Sequence, residues 1–132
     1  MPAALAADGR RVIYIDDDEI MRLLVERLLQ RAGFQVSCFA VPAEALDALR
    51  AAPLDCDLVI TDYNMPQMSG LDVARAVAAL RADLPLILTT GSLTDELIAS
   101  AMEAGVSALV NKERTFEELA PQALQLLAQS PR

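Results

Sequence analysis

The chain contains no histidine, so any step that passes through an imidazole has to be supplied by another domain or protein. Tryptophan is also absent and aromatic residues make up only 4%, which leaves the core to aliphatic side chains; 54% of the residues are hydrophobic. Two cysteines, Cys38 and Cys56, are too few for a disulfide framework. Both sit beside apolar residues and read as reduced thiols, which suits a cytoplasmic location. No apolar run approaches the roughly 18 residues that a membrane span needs. Residues 1–9 lack a charged n-region and an apolar h-region, so no signal peptide is expected. Basic residues are scarce, 11 Lys and Arg against 19 Asp and Glu, for a net charge of −8. Phosphate contacts need a basic face, so this balance argues against nucleic-acid binding by the chain. It fits attraction to magnesium and to basic partner surfaces.

What remains is a length of 132 residues, enough for one domain with a substantial core. Apolar strand-like runs alternate with helical patterns. Arg11 to Asp16 predicts a strand, followed by a helix from about Asp18 to Ala32. In that helix Ile20, Leu23, Leu24 and Leu28 share a helical spacing, and Gly33 is the stop. Phe34 to Phe39 predicts a second strand, and Pro42 opens a short helix at its first position. Asp57 to Asp62 is the third strand, and Ser69 with Asp72 caps the helix after the Tyr63 to Ser69 loop. Pro85 opens the fourth strand, Thr94 starts a helix ending near Gly105, and Ser107 to Asn111 is the fifth strand. Thr115 with Glu118 predicts a capping box for the last helix, within which Pro121 removes a hydrogen bond and predicts a kink or a late start.

Strands alternating with helices mean βαβ units and a parallel sheet. The strands are continuous apolar runs, as expected when helices cover both sheet faces, so the fold class is α/β, a three-layer sandwich. Residues 10–128 form one domain, with 1–9 and 129–132 as tails.

The strand ends carry the chemistry. In open parallel sheets, ligands sit beyond the carboxyl ends of the strands. Asp16 and Asp17 close the first strand, Asp62 the third, Thr90 the fourth, and Lys112 follows the fifth. Carboxylates gathered at one edge repel one another, and a divalent cation makes them tolerable. Singly, each residue has a plainer explanation: a helix cap, turn chemistry, a solvated lysine. Together, the acids, hydroxyl and ammonium describe a phosphate and magnesium site.

These segments resemble a known family. Val12 to Glu19 resembles the opening of the receiver domains of two-component response regulators. Leu58 to Gly70 is similar to their phosphorylation segment, Leu84 to Gly91 to their fourth strand with its hydroxyl, and Ala104 to Lys112 to the turn into their lysine strand. The resemblance implies a flavodoxin-like (βα)5 fold with strand order 2-1-3-4-5. It implies Asp62 as phosphoacceptor, with Thr90 and Lys112 assisting, and a Mg2+ ion held by Asp16, Asp17, Asp62 and the backbone carbonyl of Asn64. It implies, as partner, a histidine kinase or a histidine phosphotransfer domain, and a chain that is a monomer or weak dimer. Gly91, lacking a side chain, is expected to leave the acceptor open. Whether the chain is a single-domain regulator or a receiver from a larger protein, such as a hybrid sensor kinase, stays open.

Two positions depart from the family pattern. Glu113 stands where a proline usually follows the lysine, so a trans bond and a reshaped loop are expected, with a negative charge that could compete for Lys112. Leu109 stands where an aromatic ring often rotates with the hydroxyl, so a muted switch is expected. Two alternatives accompany this picture. One is a phosphorylation-independent interaction module, which the retention of every acid and of Lys112 disfavours. The other is a small magnesium phosphohydrolase, which needs a second aspartate two residues after the nucleophile, where Asn64 stands.

Overall fold

The computed structural model describes residues 7–129. Five strands, β1 (Arg11–Ile15), β2 (Gln35–Phe39), β3 (Leu58–Asp62), β4 (Leu86–Thr90) and β5 (Ala108–Asn111), alternate with five helices. The helices are α1 (Glu19–Arg31), α2 (Pro42–Ala51), α3 (Gly70–Leu80), α4 (Asp95–Glu103) and α5 (Thr115–Ala128). All strand pairings are parallel, in the order β2-β1-β3-β4-β5, which is the expected flavodoxin-like topology.

Successive side chains of a strand point to opposite faces, and the core divides accordingly. Ile13, Ile15, Val59, Leu86 and Leu88 pack with Leu46 and Leu49 of α2, Val73 and Val77 of α3 and Ala101 of α4. Val12, Tyr14, Leu58, Ile60, Ile87 and Val110 pack on the other face with Val25 and Leu29 of α1 and Leu119, Ala123 and Leu127 of α5. The inner strands β3 and β4 are buried at every position, and each large aliphatic buried there contributes about 1.5–3 kcal/mol. Both cysteines are free, and burial pushes their thiols up, Cys38 to about 11, so neither is a reactive thiolate at neutral pH. No helix among the described residues is long and apolar enough to cross a membrane.

Several expectations are corrected. The inward face of α1 is Val25 and Leu29, with Met21 and Leu28 packed beside them, while Ile20, Leu23 and Leu24 are exposed. The apolar residues of α1 cover about half of its circumference, wider than the strip the sheet can bury, so helical spacing cannot tell which part of that face turns inward. Thr115 does not cap α5. A 3-10 turn, Lys112–Arg114, runs straight into the helix, capped by the Asn111 side chain, which accepts from Glu113 N–H at 2.9 Å. The Thr115 hydroxyl instead donates to the Lys112 carbonyl at 2.7 Å, and Glu118 pairs with Arg114. The helix runs on from Thr115 through Pro121 with no late start. Ala7, in the segment expected as a tail, is buried in the α1–α5 core, and Gly9 N–H donates to the Gly33 carbonyl.

Local signals place the loops at the carboxyl edge of the sheet. Asp18 caps α1 by accepting from the N–H groups of Ile20 and Met21. Ser69 and Asp72 form the expected capping box of α3. Gly70, the first residue of α3, sits so close under the loop that a Cβ would lie 2.6 Å from the Asp62 carbonyl and against Leu88. Its N–H donates to the Tyr63 carbonyl at 2.9 Å, so the glycine clamps the loop that follows Asp62. Gly70→Ala is therefore expected to lose about 1–3 kcal/mol of stability through overpacking. A denaturant or thermal melt reads this as a lowered midpoint, whereas an unchanged midpoint means the loop can shift at no cost.

Candidate functional site

The parallel register brings three strand ends level. Asp62 of β3 lies opposite Thr89 of β4, and Thr89 lies opposite Val110 of β5, two residues before Lys112. Across this row Lys112 Nζ donates to Asp62 Oδ2 at 3.0 Å and lies 3.5 Å from Asp16 Oδ2. Carboxylate oxygens of Asp16, Asp17 and Asp62 all fall within 4.8 Å of one another. The acids and lysine singled out in the sequence are thus one cluster. Lys112 turns to the two aspartates, and the exposed Glu113 does not divert it.

The aspartates differ in environment. Asp16 is fully buried and fixed by its own strand: the Tyr14 hydroxyl donates to its Oδ2 at 2.7 Å, and Asp18 N–H donates to its Oδ1 at 3.0 Å. Arg22 of α1 donates to the Asp16 carbonyl at 2.9 Å, tying the first helix to the site. Burial pushes the Tyr14 hydroxyl far above its usual range, with the Asp16 charge adding to it, so the phenol stays a donor. Asp17 is exposed at the mouth. Asp62 is 2% exposed, and its burial holds the carboxyl above the usual carboxylate range; Lys112 opposes this and Asp16 adds to it. Burial acts against the Lys112 ammonium, but the hydrogen bond to Asp62 and the charges of Asp16 and Asp62 outweigh it and raise its pKa. Three carboxylates against one ammonium leave the cluster short of positive charge, and a hard divalent ion fits such an all-oxygen set.

Thr90 and Asn64 sit to one side of the cluster. Both line an open cleft of about 380 Å³ together with Tyr63, Ser92 and Thr94. The Thr90 hydroxyl is engaged locally, accepting from Ser92 N–H at 3.2 Å and donating to the Ser92 carbonyl at 3.3 Å. A Cβ on Gly91 would meet no atom within 4 Å. Tyr14 was not among the candidate residues. The period of two in a strand puts residues 14 and 16 on one face, which is the signal that would have found it.

A family model for the response regulator receiver domain matches residues 12–124. The chain is 38% identical over 112 residues to the C4-dicarboxylate transport transcriptional regulatory protein DctD of Rhizobium meliloti, covering 85% of this chain and 24% of that protein. It is 35% identical over 118 residues to the chemotaxis protein CheY of Pseudomonas aeruginosa, covering 83% of this chain and 89% of that one. It thus spans about a quarter of the longer relative and most of the shorter. The structure of Thermotoga maritima response regulator TrrA with Mg(2+)-BeF superposes with a TM-score of 0.79 at 29% identity, over 89% of this chain and 98% of that one.

The raised Asp62 carboxyl has a consequence for stability. A carboxyl whose pKa is higher folded than unfolded favours folding at low pH, and that contribution is lost as pH rises from the ordinary carboxylate range through the folded value. At pH 7 without divalent ions, Asp62→Asn is therefore expected to melt above the wild type. The gap should narrow as the pH falls toward the carboxylate range. Melts in chelator between pH 7 and 4 check this, and a variant that melts below wild type at pH 7 contradicts it.

Proposed function

The chain belongs to the response regulator receiver domains, the phosphoacceptor modules of two-component signalling, and on that footing we propose that Asp62 is its phosphoacceptor. The observation that carries this is the pairing of Lys112 with Asp62 at 3.0 Å inside the three-aspartate cluster. Receiver domains work with histidine kinases or phosphotransfer proteins, and with no histidine of its own this chain takes its phosphoryl group from such a partner.

In the reaction, an Asp62 carboxylate oxygen forms a bond to phosphorus as the phosphorus–nitrogen bond of the donor histidine breaks. The electron pair stays on the imidazole nitrogen, which takes a proton from solvent. There is little covalent chemistry to assist, so positioning and charge neutralisation supply the catalysis. Lys112, held between Asp62 and Asp16 at rest, follows the transferred oxygens. Thr90 leaves its turn with Ser92 to donate to one of them. Tyr14 keeps Asp16 fixed, and Gly91 leaves the approach open to the donor ring. Asp17, with Asp16, Asp62 and the backbone carbonyl of Asn64, would hold a Mg2+ ion. When bound, that ion supplies positive charge to the phosphoryl oxygens. We place the chain in the cytoplasm as a monomer or weak dimer, with residues 10–128 as the receiver unit, to whose core Ala7 adds a buried side chain.

A small phosphodonor such as phosphoramidate should give a mass gain of about 80 Da on Asp62. The gain should require Mg2+, be slowed by Asp17→Asn and be absent in Asp62→Asn. A stable adduct on another residue, or none in the wild type, overturns the assignment.

The partner surface follows from the exposed apolar stripe of α1. Ile20, Leu23, Leu24 and Phe116 are each at least 41% exposed beside the acidic edge. Leu24, Arg27, Leu28, Arg31 and Phe116 line a groove of about 300 Å³ between α1 and α5. A helical histidine protein with apolar anchors and acidic flanks suits this surface. Leu24→Asp is expected to leave phosphoramidate labelling unchanged and to slow transfer from a phosphorylated cognate partner at least about tenfold. Equal slowing of both reactions, or of neither, removes α1 from the interface.

A further inference from the structure

Among the described residues, the Thr89 hydroxyl is the one buried side-chain polar atom without a hydrogen-bond partner. Burying a hydroxyl unpaired is unfavourable, and a valine fills nearly the same volume without that cost. Its position is informative. Thr89 is 2% exposed and stands between Asp62 and Val110 in one cross-strand row. Residues in register in a parallel sheet share a face, so Thr89 lies on the same face as Asp62, opposite to its neighbour Thr90. Adjacent strands are about 4.8 Å apart, so Asp62 and Val110 are separated by about twice that. Lys112 leaves the chain two residues beyond Val110 and still reaches Asp62 Oδ2 at 3.0 Å. Its side chain therefore spans the carboxyl end of β4, the strand on which Thr89 stands in register with Asp62 and Val110. An ammonium has three donors, and Lys112 spends them at rest on two carboxylates, the nearer Asp62 and the farther Asp16.

Resting on Asp62 as phosphoacceptor, we propose that Thr89 is a positioning residue for the phosphoryl transfer. Its hydroxyl is the third acceptor of the Lys112 ammonium, engaged when the incoming phosphoryl group draws Lys112 off the oxygen it holds at rest. Once drawn off Asp62 Oδ2, the ammonium would otherwise be free to swing along the row. A hydroxyl beneath the stem keeps it aligned with the transferred oxygens. Thr90 then serves the phosphoryl group from one face of the sheet and Thr89 serves the lysine from the other.

The test uses the full chain with phosphoramidate and Mg2+, following the rate of phosphorylated-protein formation by mass spectrometry. Thr89→Val removes the hydroxyl and keeps the shape; Thr89→Ser keeps the hydroxyl and loses the methyl. Thr89→Val is expected to react roughly tenfold more slowly than wild type, the loss of one hydrogen bond to a charged group. Its melting point should be equal to or above that of wild type. Thr89→Ser should react within about twofold of wild type even if it melts lower. A wild-type rate in Thr89→Val, or a rate in Thr89→Ser as slow as in Thr89→Val, overturns the proposal while leaving Asp62 as acceptor. Failure of the wild type itself to be labelled overturns the Asp62 assignment and the Thr89 role with it. Should Thr89→Val not fold, the beryllium fluoride complex of the wild type decides. Thr89 Oγ1 within about 3.2 Å of Lys112 Nζ supports the proposal, and a separation beyond about 4 Å overturns it.

Discussion

The Lys112–Asp62 pair joins the ends of two strands that are not neighbours, across the width of β4. Everything at the carboxyl edge is arranged around that reach. The parallel register sets Asp62, Thr89 and Val110 level, so a lysine two residues further on can lean back over the sheet. The 3-10 turn after β5 fixes where the lysine leaves the chain, with Asn111 and Thr115 each bonded to its backbone. Gly70 holds the loop after Asp62 down on the other side. Shifting the register of β3 by one residue would turn Asp62 to the opposite face, because strand side chains alternate.

The same pair shows a conflict between stability and chemistry. Two aspartates are almost wholly buried within reach of one ammonium, and a third stands at the mouth. A buried charge is tolerated when hydrogen bonds satisfy it, and Asp16 has that provision in Tyr14 and the Asp18 N–H. Asp62 has Lys112, and its burial holds the carboxyl above the usual carboxylate range despite that partner. On the reading proposed above, the acid with more hydrogen bonds is held in place as a cation ligand, and the less satisfied one is the acceptor.

Much of this was legible in the chain. Aliphatic runs marked five strands, four of them ending in acids, hydroxyl or lysine, and Gly33, Pro42 and the Ser69–Asp72 pair marked helix boundaries through backbone chemistry that is local. Long-range choices were not. The inward face of α1 depends on which part of a wide apolar face the sheet covers, and the helix alone does not decide it. Thr115 fits a capping pattern, but the turn arriving from β5 had already satisfied the start of α5. Of the Thr89–Thr90 pair, Thr90 was singled out by its place at the strand end. The register across three strands is what gives Thr89 its own place beside Asp62.

The sheet is also a partition. Side chains of alternating parity feed two cores that share the backbone of five strands and little else. Substitutions more than about 7–10 Å apart without shared partners combine additively. The α1–α5 layer, which carries the exposed apolar stripe, can therefore drift in sequence without disturbing the packing of α2, α3 and α4. A lineage of such chains can exchange one set of acquaintances for another by editing the exposed stripe alone, one residue at a time, so long as Arg22 and Tyr14, which tie that layer to Asp16, stay in place.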